Sequence, residues 1–248
     1  MTTSLEKLKP ELQIAVLRYL AIAAIILLSG CASSGFRDRD SDRGAAILKE
    51  DTLGDSFTTI RYLDQGWSES DSLWFYTTTQ GSNLLPYDFF LALEQKDKPE
   101  SFRSNENINR YRYLAQKPTS GNPDGLPVGF VKDTYKGKDY VGLTCAACHT
   151  GQINYRGNGI RIDGGPAGAD METFLKDMVH ALNATLKNDQ VRRRFVKKVL
   201  AHGNYAAEDD VIRDLNKYTV RLTTYTHVNY SPTDYGYYRL DEIGRAHV

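Results

Sequence analysis

The sequence predicts a mainly α fold with long irregular loops and one small β-hairpin. Three observations predict it. Apolar residues recur at helical spacing through three stretches that follow residue 170. Residues 97–140 are rich in turn formers and lack a clear period. One Asn-Gly pair, Asn158-Gly159, stands between two short β-like runs. The 41% hydrophobic content is sufficient for a globular core.

At the N-terminus, Tyr19 to Leu28 is an apolar run, preceded by Lys7, Lys9 and Arg18 and followed by Ser29-Gly30-Cys31. This is the layout of a secretory signal: a basic region, a short apolar region and small residues at the cleavage point. The run falls short of the ~18 apolar residues expected of a membrane span. Leu28-Ser29-Gly30-Cys31 resembles a bacterial lipobox, which implies cleavage before Cys31 and lipidation of that residue. Several acyl chains on one residue anchor a protein stably. The alternative is an uncleaved N-terminal anchor, and either way the body is exported. Ala32 after the lipid site points to the outer membrane. Residues 31–44 are small, polar and charged, and read as a flexible tether.

Ser68 to Thr79 reads as a helix capped by Ser68 or Ser70, with Leu73, Trp74 and Tyr76 inside and Gly81 stopping it. Pro86 opens a second helix from Tyr87 to Gln95, with Phe89, Phe90 and Leu93 apolar. The irregular stretch 97–140 is densest in turn formers from Lys117 to Pro127. Further on, Gln152 to Tyr155 and Ile160 to Asp163 read as the two arms of the hairpin, ended by Gly164-Gly165-Pro166. Those glycines lack the spacing of a phosphate loop. Asp170 caps a helix to about Leu186, with Met171, Phe174, Leu175, Met178 and Leu182 on one stripe. Asp189 to Ala201 is a second amphipathic helix, along Val191, Phe195 and Val199, and Glu208 to about Tyr230 a third.

Between the loops and the hairpin lies Cys145-Ala146-Ala147-Cys148-His149. Cys-x-x-Cys-His is the attachment signature of c-type haem. Residues three and four apart share one helical face, so Cys145 and Cys148 can meet the two vinyl groups of one porphyrin. His149 then supplies the proximal iron ligand. A thioredoxin-like pair would need a βαβ context, and a zinc cage would need a second pair of ligands. Neither is present, and two of the three cysteines lie in this motif. The expected architecture is therefore a cytochrome c-like haem domain, with the long loops wrapping the haem. Export agrees with this, because c-type haem is attached outside the cytoplasm.

The sixth iron position separates a carrier from an enzyme. Met171 and Met178 lie on an apolar stripe and read better as core. His180, His202 and His227 have no motif around them. Arg156 and Arg161 are candidates for the haem propionates, against the plainer reading of a solvated hairpin.

Charge excludes a general attraction to nucleic acid: 31 basic residues balance 31 acidic ones. The basic run Arg192 to Lys198 fills the polar side of a helix and reads as a solvated face, with docking of an acidic redox partner as the alternative.

Four runs together resemble exported di-haem cytochromes of the group that includes bacterial rubber oxygenases and, more distantly, di-haem cytochrome c peroxidases. They are Pro86 to Glu94, Asn122 to Phe130, Thr144 to Gln152 and Arg161 to Pro166. The resemblance covers about Gly66 to Asp241. It implies two c-type haems and chemistry with oxygen or peroxide at the N-terminal one, to which it assigns Cys145, Cys148 and His149. It does not carry over rubber as a substrate. The sequence departs from the group in lacking a second Cys-x-x-Cys-His. Ile243 to Val248 matches the translation of a common sequencing-adapter string, so 242–248 is expected to be an artefact, with the second haem lying downstream in the full protein. The alternative is a mono-haem protein that ends at Val248.

The expected organisation is a signal peptide over 1–30, a tether over 31–44 and a haem domain over 45–241. The expected function is that of a lipid-anchored periplasmic c-type cytochrome, the N-terminal haem domain of a peroxidase- or oxygenase-like oxidoreductase working with a periplasmic electron donor or acceptor. The alternatives are a mono-haem electron carrier capped by Met178, His180 or another side chain, and a haem-based sensor.

Overall fold

The computed structural model describes residues 36–37, 43–49, 51–52, 54–230 and 232–233. The chain divides into two units, 1–37 and 38–248. In the first, the two-residue strand β1 (Phe36–Arg37) is described; the apolar run and Cys31 lie outside the described residues, as do residues 234–248.

In chain order the second unit holds β2 (Phe57–Leu63), α1 (Glu69–Thr77), β3 (Leu85–Pro86), α2 (Tyr87–Ala92), β4 (Glu94–Gln95), β5 (Lys98–Ser101) and α3 (Asn105–Asn109). Then come β6 (Phe130–Tyr135), β7 (Lys138–Leu143), α4 (Cys145–Cys148), β8 (Thr150–Tyr155) and β9 (Gly157–Asp163). Three long helices follow: α5 (Met171–Lys187), α6 (Asp189–Ala201) and α7 (Glu208–Val228).

This corrects the expected fold. The chain is about 40% helical and 24% strand, with its strands in three sheets, and is neither mainly α nor cytochrome c-like. The strand β2 runs parallel to β9, and β9 runs antiparallel to β8. β3, β7 and β6 form a second sheet, and β4 pairs with β5. Two physical reasons explain the error. In Phe57 to Leu63, Phe57, Ile60 and Tyr62 are buried and the threonines exposed, a half-buried strand with a slip near Thr59 that blurs its alternation. In the stretch read as irregular, Lys136 (φ 50°) and Gly137 (φ 73°) both take the left-handed conformation of a tight two-residue turn that joins β6 to β7.

The second hairpin repeats that chemistry. Its turn is Arg156 (φ 47°) and Gly157 (φ 78°), with Tyr155 opposite Asn158. The Asn158-Gly159 pair lies inside β9 instead. Each turn follows a tyrosine and carries a cation over that ring, Lys136 at 5.2 Å from Tyr135 and Arg156 at 5.1 Å from Tyr155.

The helices start where their caps are. Ser68 and Asp71 form a reciprocal capping box at α1, the Asp170 carboxylate accepts from the Thr173 N–H at 2.9 Å, and Asn188 caps α6. Three acidic residues open α7 in place of a side-chain cap. Trp74, expected inside α1, is 68% exposed, whereas Ser72 and Tyr76 of that helix are buried. α2 ends at Ala92, before the expected Gln95, because Glu94 and Gln95 turn to pair with β5.

The core joins α5, α6 and α7 to α2 and to the aromatic residues before the motif. Phe174 of α5 packs against Tyr113 at 5.3 Å and Phe130 at 5.6 Å. Phe89 of α2 packs edge-on against Phe195 of α6 at 5.1 Å and stacks on Tyr205 at 5.5 Å.

Candidate functional site

Cys145 to Cys148 form one helical turn at the end of β7. Thr144 starts it: its hydroxyl accepts from the Ala146 N–H at 3.2 Å and donates to the Tyr76 carbonyl at 3.3 Å. The His149 N–H closes it on the Cys145 carbonyl at 2.9 Å. The inner face is tightly backed. Ala146 packs with Tyr76, Leu114 and Val128, and Ala147 joins the main core. Gly129 lies against the turn, with φ at 79°, and a Cβ there would overlap the Ala147 backbone nitrogen. Its carbonyl accepts from the Thr144 N–H at 2.8 Å.

The loop after the hairpin closes the other end. The His149 carbonyl accepts from the Gly164 N–H at 2.7 Å and the Cys148 carbonyl from the Ala167 N–H at 3.0 Å. A Cβ at Gly151 would stand 2.6 Å from the Pro166 carbonyl oxygen. The four runs that carry the resemblance are thus linked in series: Phe90 stacks on Phe130 at 6.1 Å, Gly129 lies against the Cys145–Cys148 turn, and the Gly164 N–H donates to His149.

On the outer face, Cys145 and His149 are exposed and Cys148 is half-buried. Both thiols are free. The Gln80 amide donates to the Cys145 sulfur. Burial pushes the Cys148 thiol above its ordinary pKa, and the neighbouring Cys145 adds to this. Tyr113 lies behind the turn with a buried hydroxyl that has no hydrogen-bond partner among the described residues. Burial first, then the charges of Cys148 and Asp170, hold its phenol well above the ordinary value.

Among the described residues no three His, Cys, Asp or Glu side chains are grouped to hold a metal ion. The donor set fits a porphyrin better than a bare ion: two free thiols one turn apart and an adjacent exposed imidazole, where haem iron asks the chain for one proximal nitrogen.

The structure separates the two propionate candidates. Arg156 is exposed at the hairpin turn. Arg161 is 1% exposed, with Nε donating to Gln152 Oε1 at 2.9 Å and Nη2 to the Ala115 carbonyl at 3.1 Å. Met171 and Met178 are buried in the main core. His202 and His227 are exposed at helix ends, and His180 is exposed on α5 with Nδ1 3.6 Å from Asp177. A cleft of about 420 Å³ between Tyr87, Lys138, Tyr205 and Asp214 contains no motif residue.

Sequence reasoning missed the buried polar group beside the hairpin. Asp163 accepts from Tyr76 at 2.6 Å and from Arg43 at 3.1 Å, and Arg43 also lies 4.0 Å from the Tyr62 ring centroid. Arg43 and Gly44, assigned to the tether from sequence, are buried in the second unit. Charged residues in a sequence otherwise read as a linker gave no sign of this.

No family model matches the chain, and no solved structure matches it. A protein of Sinorhizobium fredii described as uncharacterized protein y4iJ is 33% identical over 139 residues, covering 47% of this chain. The chain spans 22% of that relative's length.

Proposed function

We propose that the second unit is a c-type haem-binding domain. Cys145 and Cys148 would each add a thiol across a porphyrin vinyl group, the sulfur bonding one vinyl carbon and the hydrogen passing to the other. His149 would ligate the iron. The observation that supports this most is the Cys145–Cys148 turn itself, backed by Gly129 and closed by Gly164 and Ala167, with Cys145 and His149 exposed beside each other. When bound, such a group supplies one-electron transfer, and oxygen or peroxide chemistry where its sixth position is open. Buried Met171 and Met178 favour a core role over a distal one, so we favour the oxidoreductase reading over the capped carrier. Two haems in the full protein, a periplasmic electron partner and lipid anchoring through Cys31 belong to the same proposal.

The chain's own residues do the positioning. Gly129 and the Thr144 cap hold the turn, the Gly164 N–H orients the His149 backbone, and Gln80 sits at the Cys145 sulfur. The test is expression in an exporting host that attaches c-type haem, followed by a pyridine haemochrome assay and reduced spectra with and without carbon monoxide. Haem that stays on the chain through denaturation, and is lost in a Cys145→Ser, Cys148→Ser double variant, supports the reading. A colourless wild-type chain overturns it. A carbon monoxide shift favours the oxidoreductase, and an unmoved spectrum the carrier.

A further inference from the structure

The cleft of about 420 Å³ opens between the start of α2, the first half of β7, the α6–α7 connection and the first turns of α7. Its volume is that of a small-molecule site. No residue of the Cys145–His149 motif lines it, so what it binds is independent of the function proposed above. Its walls carry three tyrosines, Tyr87, Tyr140 and Tyr205, four carboxylates, Asp88, Asp139, Asp210 and Asp214, and two cations, Lys138 and Arg213.

The carboxylates differ in how they are compensated. Asp214 is buried and accepts from Lys138 Nζ at 3.3 Å and Tyr205 Oη at 3.1 Å. Asp210 pairs with Arg213 at 2.7 Å. Asp139 pairs with Lys132 at 3.4 Å and accepts from Thr134 Oγ1 at 2.6 Å. Asp88 is the exception. It is 7% exposed, and among the described residues its side chain meets only a neutral donor, Asn204 Nδ2 at 2.9 Å. It stands in the first turn of the six-residue α2, whose N-terminus eases a carboxylate in part. A buried carboxylate without a cation is otherwise costly, and this one lies on the wall of a cavity large enough to admit one.

The occupant that fits is an organic cation. A hard divalent metal asks for several oxygens close together, and no three acidic, His or Cys side chains are so grouped among the described residues. A primary ammonium asks for less: one carboxylate to accept a charge-assisted hydrogen bond, and aromatic surface beside it. The cleft's own cations have side chains 62% and 68% exposed and stand at its rim, which leaves the buried end negative. We infer that this cleft binds a small primary amine, whose ammonium group donates to Asp88 and whose carbon body lies among Tyr87, Tyr140 and Tyr205.

The test is isothermal titration of the purified chain at pH 7 with n-butylammonium chloride, set against sodium chloride and magnesium chloride at equal ionic strength. Saturable binding of n-butylammonium alone is expected. Asp88→Asn keeps the shape of the side chain, removes its charge and should weaken binding at least about tenfold. Arg213→Gln removes an exposed cation from the rim; it should leave thermal unfolding unchanged and tighten binding. Should Asp88→Asn fold poorly, Arg213→Gln decides: tighter binding supports the site, and unchanged affinity overturns it. No saturable binding of n-butylammonium, equal affinity in Asp88→Asn, or saturable binding of magnesium in its place overturns it as well.

Discussion

Gly129 and Ala147 touch backbone to backbone, with no room between them for a single methyl group. The contact ties the loop before β6 to the middle of the Cys145–Cys148 turn. Gly129→Ala therefore adds a clash to a left-handed residue, and the fold should lose at least about 2 kcal/mol. Urea unfolding measures the loss, and haem attachment should fall with it. Gly121→Ala, where no neighbour stands within 4 Å of the added carbon, serves as the control and should unfold like wild type.

The two thiols of the haem-free chain should differ in reactivity. Cys145 is exposed, whereas Cys148 is half-buried with its pKa raised by burial and by Cys145. The thiolate is the nucleophile. At pH 8, iodoacetamide should modify Cys145 first, with Cys148 following as the pH rises, as peptide mass mapping would show. The folded chain holds the Cys148 proton more tightly than the unfolded chain does. That stabilisation is complete below the ordinary thiol value of about 8.5 and is lost as pH rises through the folded value.

Glu94 should make stability depend on acid. Burial opposes its ionisation, but hydrogen bonds from Arg194 at 2.7 Å and Lys198 at 3.0 Å outweigh it and lower its pKa. The contribution is present above the unfolded carboxyl value of about 4.3 and is lost as pH falls through the folded one. Glu94→Gln should cost about 1–2 kcal/mol at pH 7, a modest figure because both cations are partly solvated. Unfolding curves of variant and wild type should converge as the pH falls below 4.3. A gap that persists in acid would place the effect in packing.

Asp163 secures the segment that begins at Arg43. Their ion pair is buried on both sides, at 5% and 7% exposure. Asp163→Asn leaves Arg43 buried without its charge partner and should cost on the order of 3 kcal/mol. Limited proteolysis should then cut near residues 43–46, which are buried in the wild type. If Arg43→Met and Asp163→Asn add without coupling in a double-mutant cycle, the pair is not the anchor.

Much of the helical half was legible. Met171, Phe174, Met178 and Leu182 are buried as their spacing requires, and Asp170 caps their helix. That signal is local, because one amphipathic face repeats over many turns. The sheets were less legible, because short strands carry few periods and pair with distant partners. Tyr135-Lys136-Gly137 and Tyr155-Arg156-Gly157 make the same turn, yet a basic residue at positive φ is not an expected turn former, so the first was missed and the second misplaced by two residues. At the site, the cysteines and histidine are readable as a motif. Gly129 is not, because it matters for space denied by a residue far along the chain.

The parallel pairing of β2 with β9 joins residues a hundred positions apart, Phe57 facing Gly157. Closing so large a loop is slow, whereas the β8–β9 hairpin and the Cys145–Cys148 turn need only near neighbours. During folding, the stretch from Thr144 to Asp163 can take shape while Phe57 to Leu63 is still free. If the two cysteines take haem as proposed, that attachment would then have a window in time, open from the formation of the local turn until β2 arrives and pairs with β9.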